Sequence, residues 1–347
     1  MKKLIILLFI AVMLISCSQK ESGANSLQKN NIKDRKKPLA WGKRQSIYTF
    51  ADADVWKYAE SRTRQTLERT VYTTVNEKMF NIEKAEYNKI EDYFRFNNII
   101  FYCDWESEDP VSKYVKEVLS GQIEAKLQAD GAAIFPVYNL WADDQMVLFI
   151  VGENEENLLK INILQADKVW EIFRDRLYKR IEYLTYRDRI KPKSNFANKS
   201  WELDLPANYI LFKEDTNFTS WLARSSSKPD RFIAVYHEAA KAEDLSSKWL
   251  IAKRNELAGL YYEGDKFTDR DISIMKKIIA GYEGWMIRGR WQNEISSVGG
   301  AFSAFAFYEP VKEEIFLIDN AVYYPEGDKL PALIELEVIS NSLKIKP

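Results

Sequence analysis

Three hydrophobic patterns succeed one another along the chain. Residues 4–15 form an unbroken apolar run of twelve behind Lys2 and Lys3. A bilayer span needs about 20 such residues, so a positive start, a short apolar stretch and small Ser16 read instead as a secretory leader. Residues 18–40 show no apolar period and are rich in Asn, Lys, Ser and Gln, a composition that stays disordered. A flexible segment of that length reaches about 25–29 Å. From residue 41 onward, runs of period 2 and of period 3.6 alternate, as in a folded body.

Within that body, 45–50 and 98–103 read as strands. Asp54 stands where it can cap a helix to about residue 69, with Val55, Ala59 and Leu67 inward. Pro110 opens a helix to about 128, whose stripe is Val111, Val115, Val118 or Leu119, Ile123 and Leu127. Runs 133–141 and 145–152 form a hairpin around Asp143 and Asp144. Asn154 caps the next helix, with Glu155 and Glu156 where the helix dipole favours acids. A further helix over 166–187 turns Val169, Ile172, Phe173, Leu177, Ile181 and Leu184 to one side, and 193–199 is a polar link.

The second half is richer in strands: 200–205, 209–214, 221–224 with 231–237, 272–279 with 285–291, and 302–308 with 314–319. Ser246 or Ser247 caps a helix to 257, and Pro331 opens a closing helix with Leu333, Leu336, Ile339 and Leu343 inward. The expected class is α+β, with antiparallel hairpin-rich sheets, amphipathic helices on one face and two related subdomains. The expected divisions are a leader at 1–16, a tether at 17–40, an N-terminal α/β subdomain at 41–190 and a C-terminal α+β subdomain at 200–347.

Composition removes several functions. A formal net charge of −1 over 347 residues leaves no nucleic-acid footprint. Two cysteines occur, Cys17 and Cys103. Cys103 ends an apolar strand and reads as a core thiol. The single histidine, His237, lacks companions for a triad or a zinc site, and no phosphate-binding glycine loop occurs. No metal or cofactor is expected on these grounds.

Leu14-Ile15-Ser16-Cys17 resembles the lipobox of bacterial lipoproteins. The resemblance implies removal of the leader and a triacylated Cys17, with the membrane as partner through that anchor. Each buried methylene adds about 0.8 kcal/mol, so three chains hold where one is marginal. Ser18, where an acid would signal inner-membrane retention, implies the outer membrane, facing the periplasm. Gln19-Lys20-Glu21 is weakly similar to surface-export signals, which makes display on the cell surface the alternative.

Several stretches together resemble a family of bacterial lipoproteins catalogued as a domain of unknown function, over about 41–343. They are Trp56, the run Arg95-Phe96-Asn97-Asn98-Ile99-Ile100, the run VLFIVG at 147–152, Arg288-Gly289-Arg290-Trp291, Gly299-Gly300-Ala301-Phe302, and VYYP at 322–325. The chain departs from that pattern at Arg290 and Ala301. The family carries no known activity, so the resemblance implies an envelope lipoprotein and transfers no catalytic residue.

Two constellations carry chemistry. Asp52 and Asp54 just past the first strand resemble the opening motif of haloacid-dehalogenase-type phosphatases, which would use Mg, with Lys253, Asp265 and Asp269 as later members. Asp52 and Asp54 are equally ordinary turn and cap residues. Arg288, Arg290 and Trp291 join two cations to an indole before a flexible double glycine, a candidate surface for a glycan or an envelope protein. Strand alternation puts both arginines on one face and Trp291 on the other. The leading expectation is a membrane-anchored envelope lipoprotein with a non-catalytic binding or assembly role, and the alternative is the phosphatase.

Overall fold

The structure, a computed structural model, describes residues 37–119, 121, 123–267 and 272–347. The leader, Cys17, most of the tether and Asp269 lie outside the described residues. In chain order the first elements are β1 (Ser46–Phe50), α1 (Ala53–Leu67), β2 (Thr70–Tyr72), β3 (Asn76–Lys78), β4 (Asn81–Lys84), α2 (Ile90–Tyr93) and β5 (Asn98–Asp104). There follow α3 (Pro110–Leu119), α4 (Glu124–Asp130), β6 (Ala132–Tyr138), β7 (Met146–Gly152), α5 (Glu155–Leu164) and α6 (Ala166–Tyr186). Next come β8 (Trp201–Glu202), β9 (Ile210–Glu214), β10 (Phe218–Ser225), β11 (Lys228–Ala239) and α7 (Ser247–Tyr261). The last are β12 (Ile272–Ile279), β13 (Tyr282–Asn293), β14 (Val298–Glu309), β15 (Glu314–Tyr323), α8 (Leu330–Ser340) and β16 (Lys344–Ile345).

These elements form two compact units. One takes residues 37–69 and Phe80–Phe173, the other Thr70–Met79 and Arg174–Pro347. As a whole the chain is α+β, with long antiparallel hairpins. The first unit holds a five-stranded sheet in the order β4-β1-β5-β7-β6, parallel except for the edge pair β6 and β7. Every residue of β7, and all but the last of β5, is buried, as in a parallel sheet covered on both faces. Ile99, Phe101 and Cys103 meet Val111, Val115 and Leu119 of α3. The alternate residue Tyr102 turns to the other face, its hydroxyl 2.6 Å from that of Thr63 on α1 and donating to Asn162 of α5 at 3.0 Å. Helices therefore flank this sheet on both sides rather than one. Cys103 is fully buried, and burial pushes its thiol up to about 12.

One expected boundary moves. The helix from 110 to 128 is two helices, α3 and α4, parted at Gly121, whose φ of 80° is left-handed. Gly152 ends β7 against α5, where an added Cβ would lie 2.3 Å from the backbone nitrogen of Leu158.

The second unit is built on a seven-stranded antiparallel sheet in the order β12-β13-β14-β15-β11-β10-β9. Residues alternate cleanly along β14. Ala301, Phe305 and Phe307 join Leu333, Leu336 and Ile339 of α8 in one core, while Phe302, Ala304 and Ala306 join Leu250 and Leu257 of α7 in another. The two units thus do not repeat one topology. The buried carboxylate of Glu77, on β3, accepts from the backbone nitrogens of Lys329 at 2.9 Å and Leu330 at 2.8 Å. It supplies the cap that Lys329, at the start of α8, does not make with its own side chain. Glu77→Ala should lower stability by about 1–3 kcal/mol, read as a lower denaturation midpoint in urea by circular dichroism.

Candidate binding site

The carboxyl edge of the first unit's parallel sheet is where open α/β sheets hold ligands, at the point where strand order reverses. Here β1 is followed by β4 on one side and β5 on the other, so that point lies between β1 and β5. The chain fills it itself. Asp52 leaves β1 as the N-cap residue of α1 but makes no side-chain bond to that helix. Its Oδ1 accepts from the backbone nitrogen of Val111 at 3.0 Å, and its Oδ2 accepts from the nitrogen and hydroxyl of Ser112 at 3.0 and 2.8 Å. Both oxygens thus serve the N-terminus of α3, a ready anion site. Asp54 is exposed in the first turn of α1. Asp52→Ala should cost about 2–3 kcal/mol, because it strips three bonds from buried donors, whereas Asp54→Ala should cost under about 1 kcal/mol. Paired urea titrations measure the difference.

The other predicted residues belong to the second unit. Lys253 on α7 is held by Glu238 at 3.0 Å and Glu256 at 2.9 Å. Asp265 accepts from the side-chain amide of Asn293 at 2.9 Å. Arg288 reaches Glu337 of α8 at 3.3 Å, beside Lys277 and the Tyr178 hydroxyl on the same carboxylate. Arg290 is exposed and Trp291 buried, so Arg288 and Trp291 look to opposite faces of the sheet, as alternation requires. The double glycine is not a flexible joint. Gly299 and Gly300 sit inside β14, where a Cβ on Gly300 would lie 2.0 Å from the carbonyl oxygen of Val322 and 2.9 Å from the Trp291 indole nitrogen.

Trp291 borders a cavity of about 400 Å³ in this unit. Its walls come from the sheet (Phe212, Leu222, Phe232 and Ala321 among them) and from the end of α7 with the turn after it. That volume lies in the range of small-molecule sites. Beneath it lie Arg254, 1% exposed, and Asp319, 2% exposed, 3.2 Å apart. The Arg254 guanidinium lies 4.4 Å from the Phe302 ring centre, 5.2 Å from Phe267 and 5.6 Å from Tyr262. Burial pushes the Asp319 carboxyl up, against the opposing charge of Arg254. Burial also raises Tyr262, which faces Asp319, and Asp265 at the cavity wall. Among the described residues, Arg254 Nη1, Ser220 Oγ and Trp291 Nε1 at this cavity are buried without a hydrogen-bond partner.

Arg254 and Asp319 were the site residues that pattern reading passed over. Their signal is present: Leu250, Arg254 and Leu257 share the inward stripe of α7, and Asp319 follows the buried run Ile315 to Ile318. An ion in an apolar stripe marks a partner across the core. No group of three or more metal-ligating side chains is assembled among the described residues. Nor is any described helix long and apolar enough to cross a membrane.

Residues 40–184 match the family model described as domain of unknown function DUF8532, and residues 190–342 match domain of unknown function DUF4837. Two models of domains of unknown function thus cover most of the chain between them. No curated protein matches it. Solved structures similar to part of it include a protein from Bacteroides thetaiotaomicron, 12% identical with a TM-score of 0.28, covering 46% of this chain and 48% of that one. This chain thus spans about half the length of that protein. The Ran-binding protein Mog1p of Saccharomyces cerevisiae is 8% identical with a TM-score of 0.32, over 43% of this chain and 91% of that one. LpqN of Mycobacterium tuberculosis, described as involved in cell envelope biogenesis, is 15% identical with a TM-score of 0.28, over 42% and 83%.

Arg254→Met should destabilise the protein by about 3–5 kcal/mol, since it leaves Asp319 buried without its counterion, and Arg254→Met with Asp319→Leu should recover most of that loss. Urea unfolding of the single and double variants measures both.

Proposed function

We propose that this chain is a lipid-anchored protein of the bacterial cell envelope, held through Cys17, whose C-terminal half binds a small molecule. The observation that carries the binding role is the cavity over Arg254 and Asp319, with apolar walls and buried polar atoms that lack partners. Binding sites of small molecules combine those properties. The anchor reading rests on the sequence around Cys17, and Ser18 favours the outer membrane. The Asp52 alternative loses its support, because both carboxylate oxygens are engaged at a helix N-terminus.

Two measurements test the two parts. In the native cell, Cys17→Ala should abolish incorporation of labelled palmitate, and unchanged labelling would refute the anchor. Nile red, an uncharged apolar dye, should bind at one site per chain with blue-shifted emission. Ala321→Phe, which places a ring in the cavity wall, should remove that binding with the circular dichroism unchanged. Persistence of the dye signal in that variant would refute the cavity as the binding site.

A further inference from the structure

The charge of the cavity wall selects among occupants, and the selection rests on the binding reading above. Six charged side chains line the space: Arg224, Asp230, Arg254, Glu263, Asp265 and Asp319. Arg224 pairs with Asp230 at 2.9 Å and Arg254 with Asp319 at 3.2 Å. That leaves Glu263 and Asp265, from the turn after α7, without an ion-pair partner among the described residues. The neighbour that Asp265 does have, the Asn293 amide, is uncharged. Two cations thus face four carboxylates. In a partly water-excluded space that excess attracts a cation and repels an anion far more than it would in water.

The remaining wall asks for an apolar body. Phe212, Leu222, Phe232 and Val298 offer hydrocarbon, and Tyr261 and Trp291 bring aromatic rings, the side chains that attract ammonium groups. Ser220, 3% exposed, carries a hydroxyl without a partner in the same wall. We infer that the cavity takes a small amphipathic cation, an aliphatic or aromatic amine whose hydrocarbon lies against the sheet and whose ammonium is held by Glu263 and Asp265.

The test uses three probes that share one hydrocarbon and differ in the head: octylamine, octanol and octanoate. They are titrated calorimetrically into the mature chain, residues 17–347 with Cys17→Ala, which carries neither the apolar leader nor acyl chains. Octylamine should bind once per chain and at least tenfold more tightly than octanoate, with octanol between them. Glu263→Gln with Asp265→Asn should erase the amine's advantage and leave octanol affinity unchanged. Glu263→Gln alone, at an exposed turn, should reduce that advantage at least threefold and stands in if the double variant loses octanol too. Equal or tighter binding of octanoate, or an amine preference that the variants do not move, would overturn the inference while octanol binding keeps the cavity reading intact. If neither Nile red nor any of the three probes binds, the cavity reading itself falls.

Discussion

A charge taken out of water must be answered where it lies, and much of this chain's architecture follows from how it does so. Asp52 and Glu77 are both buried, and each sits on the open N–H groups of a helix. Arg254 and Asp319 answer each other between α7 and the central strand β15. Glu337, on α8, gathers Lys277, Arg288 and the Tyr178 hydroxyl. Losing a partner costs more than the pair contributes, since the survivor stays buried. These contacts therefore fix which helix rests on which part of a sheet, where hydrophobic burial alone would tolerate sliding.

The same rule separates what could be read from the residues from what could not. Hairpins β6 with β7, β10 with β11, β12 with β13 and β14 with β15 announce themselves through short spacings and turn residues. Asn154 and Ser246 were readable as caps because they bond a nitrogen three residues away. Asp52 was not, because its donors are 59 and 60 residues off in sequence, and a local pattern cannot name a distant partner. The parallel pairing of β1 with β4 and β5 was hidden for a related reason. Parallel strands are joined by long crossovers, and a fully buried run has no alternation to show which way it pairs.

In the candidate site, Trp291 drew attention as an indole beside cations and Asp265 as a later member of the phosphatase set, and both border the cavity. The grouping around them was different. Arg288 looks to the opposite face of the sheet, toward Glu337, and Lys253 is taken up by two glutamates. Gly299 and Gly300 read as a hinge from composition, whereas the close approach of β15 and the Trp291 ring is what excludes a side chain at Gly300.

The Glu77 contact also has a consequence for biosynthesis. The closing helix α8 seats on a carboxylate translated about 250 residues earlier. The segment 190–342, expressed by itself, would lack that acceptor. The second unit therefore completes itself with a strip, Thr70–Met79, that belongs in sequence to the N-terminal half. It closes on a strip of chain made well before α8, and a nascent chain that stalls short of residue 330 leaves the Glu77 carboxylate without those two donors and the strip open for quality control to recognise.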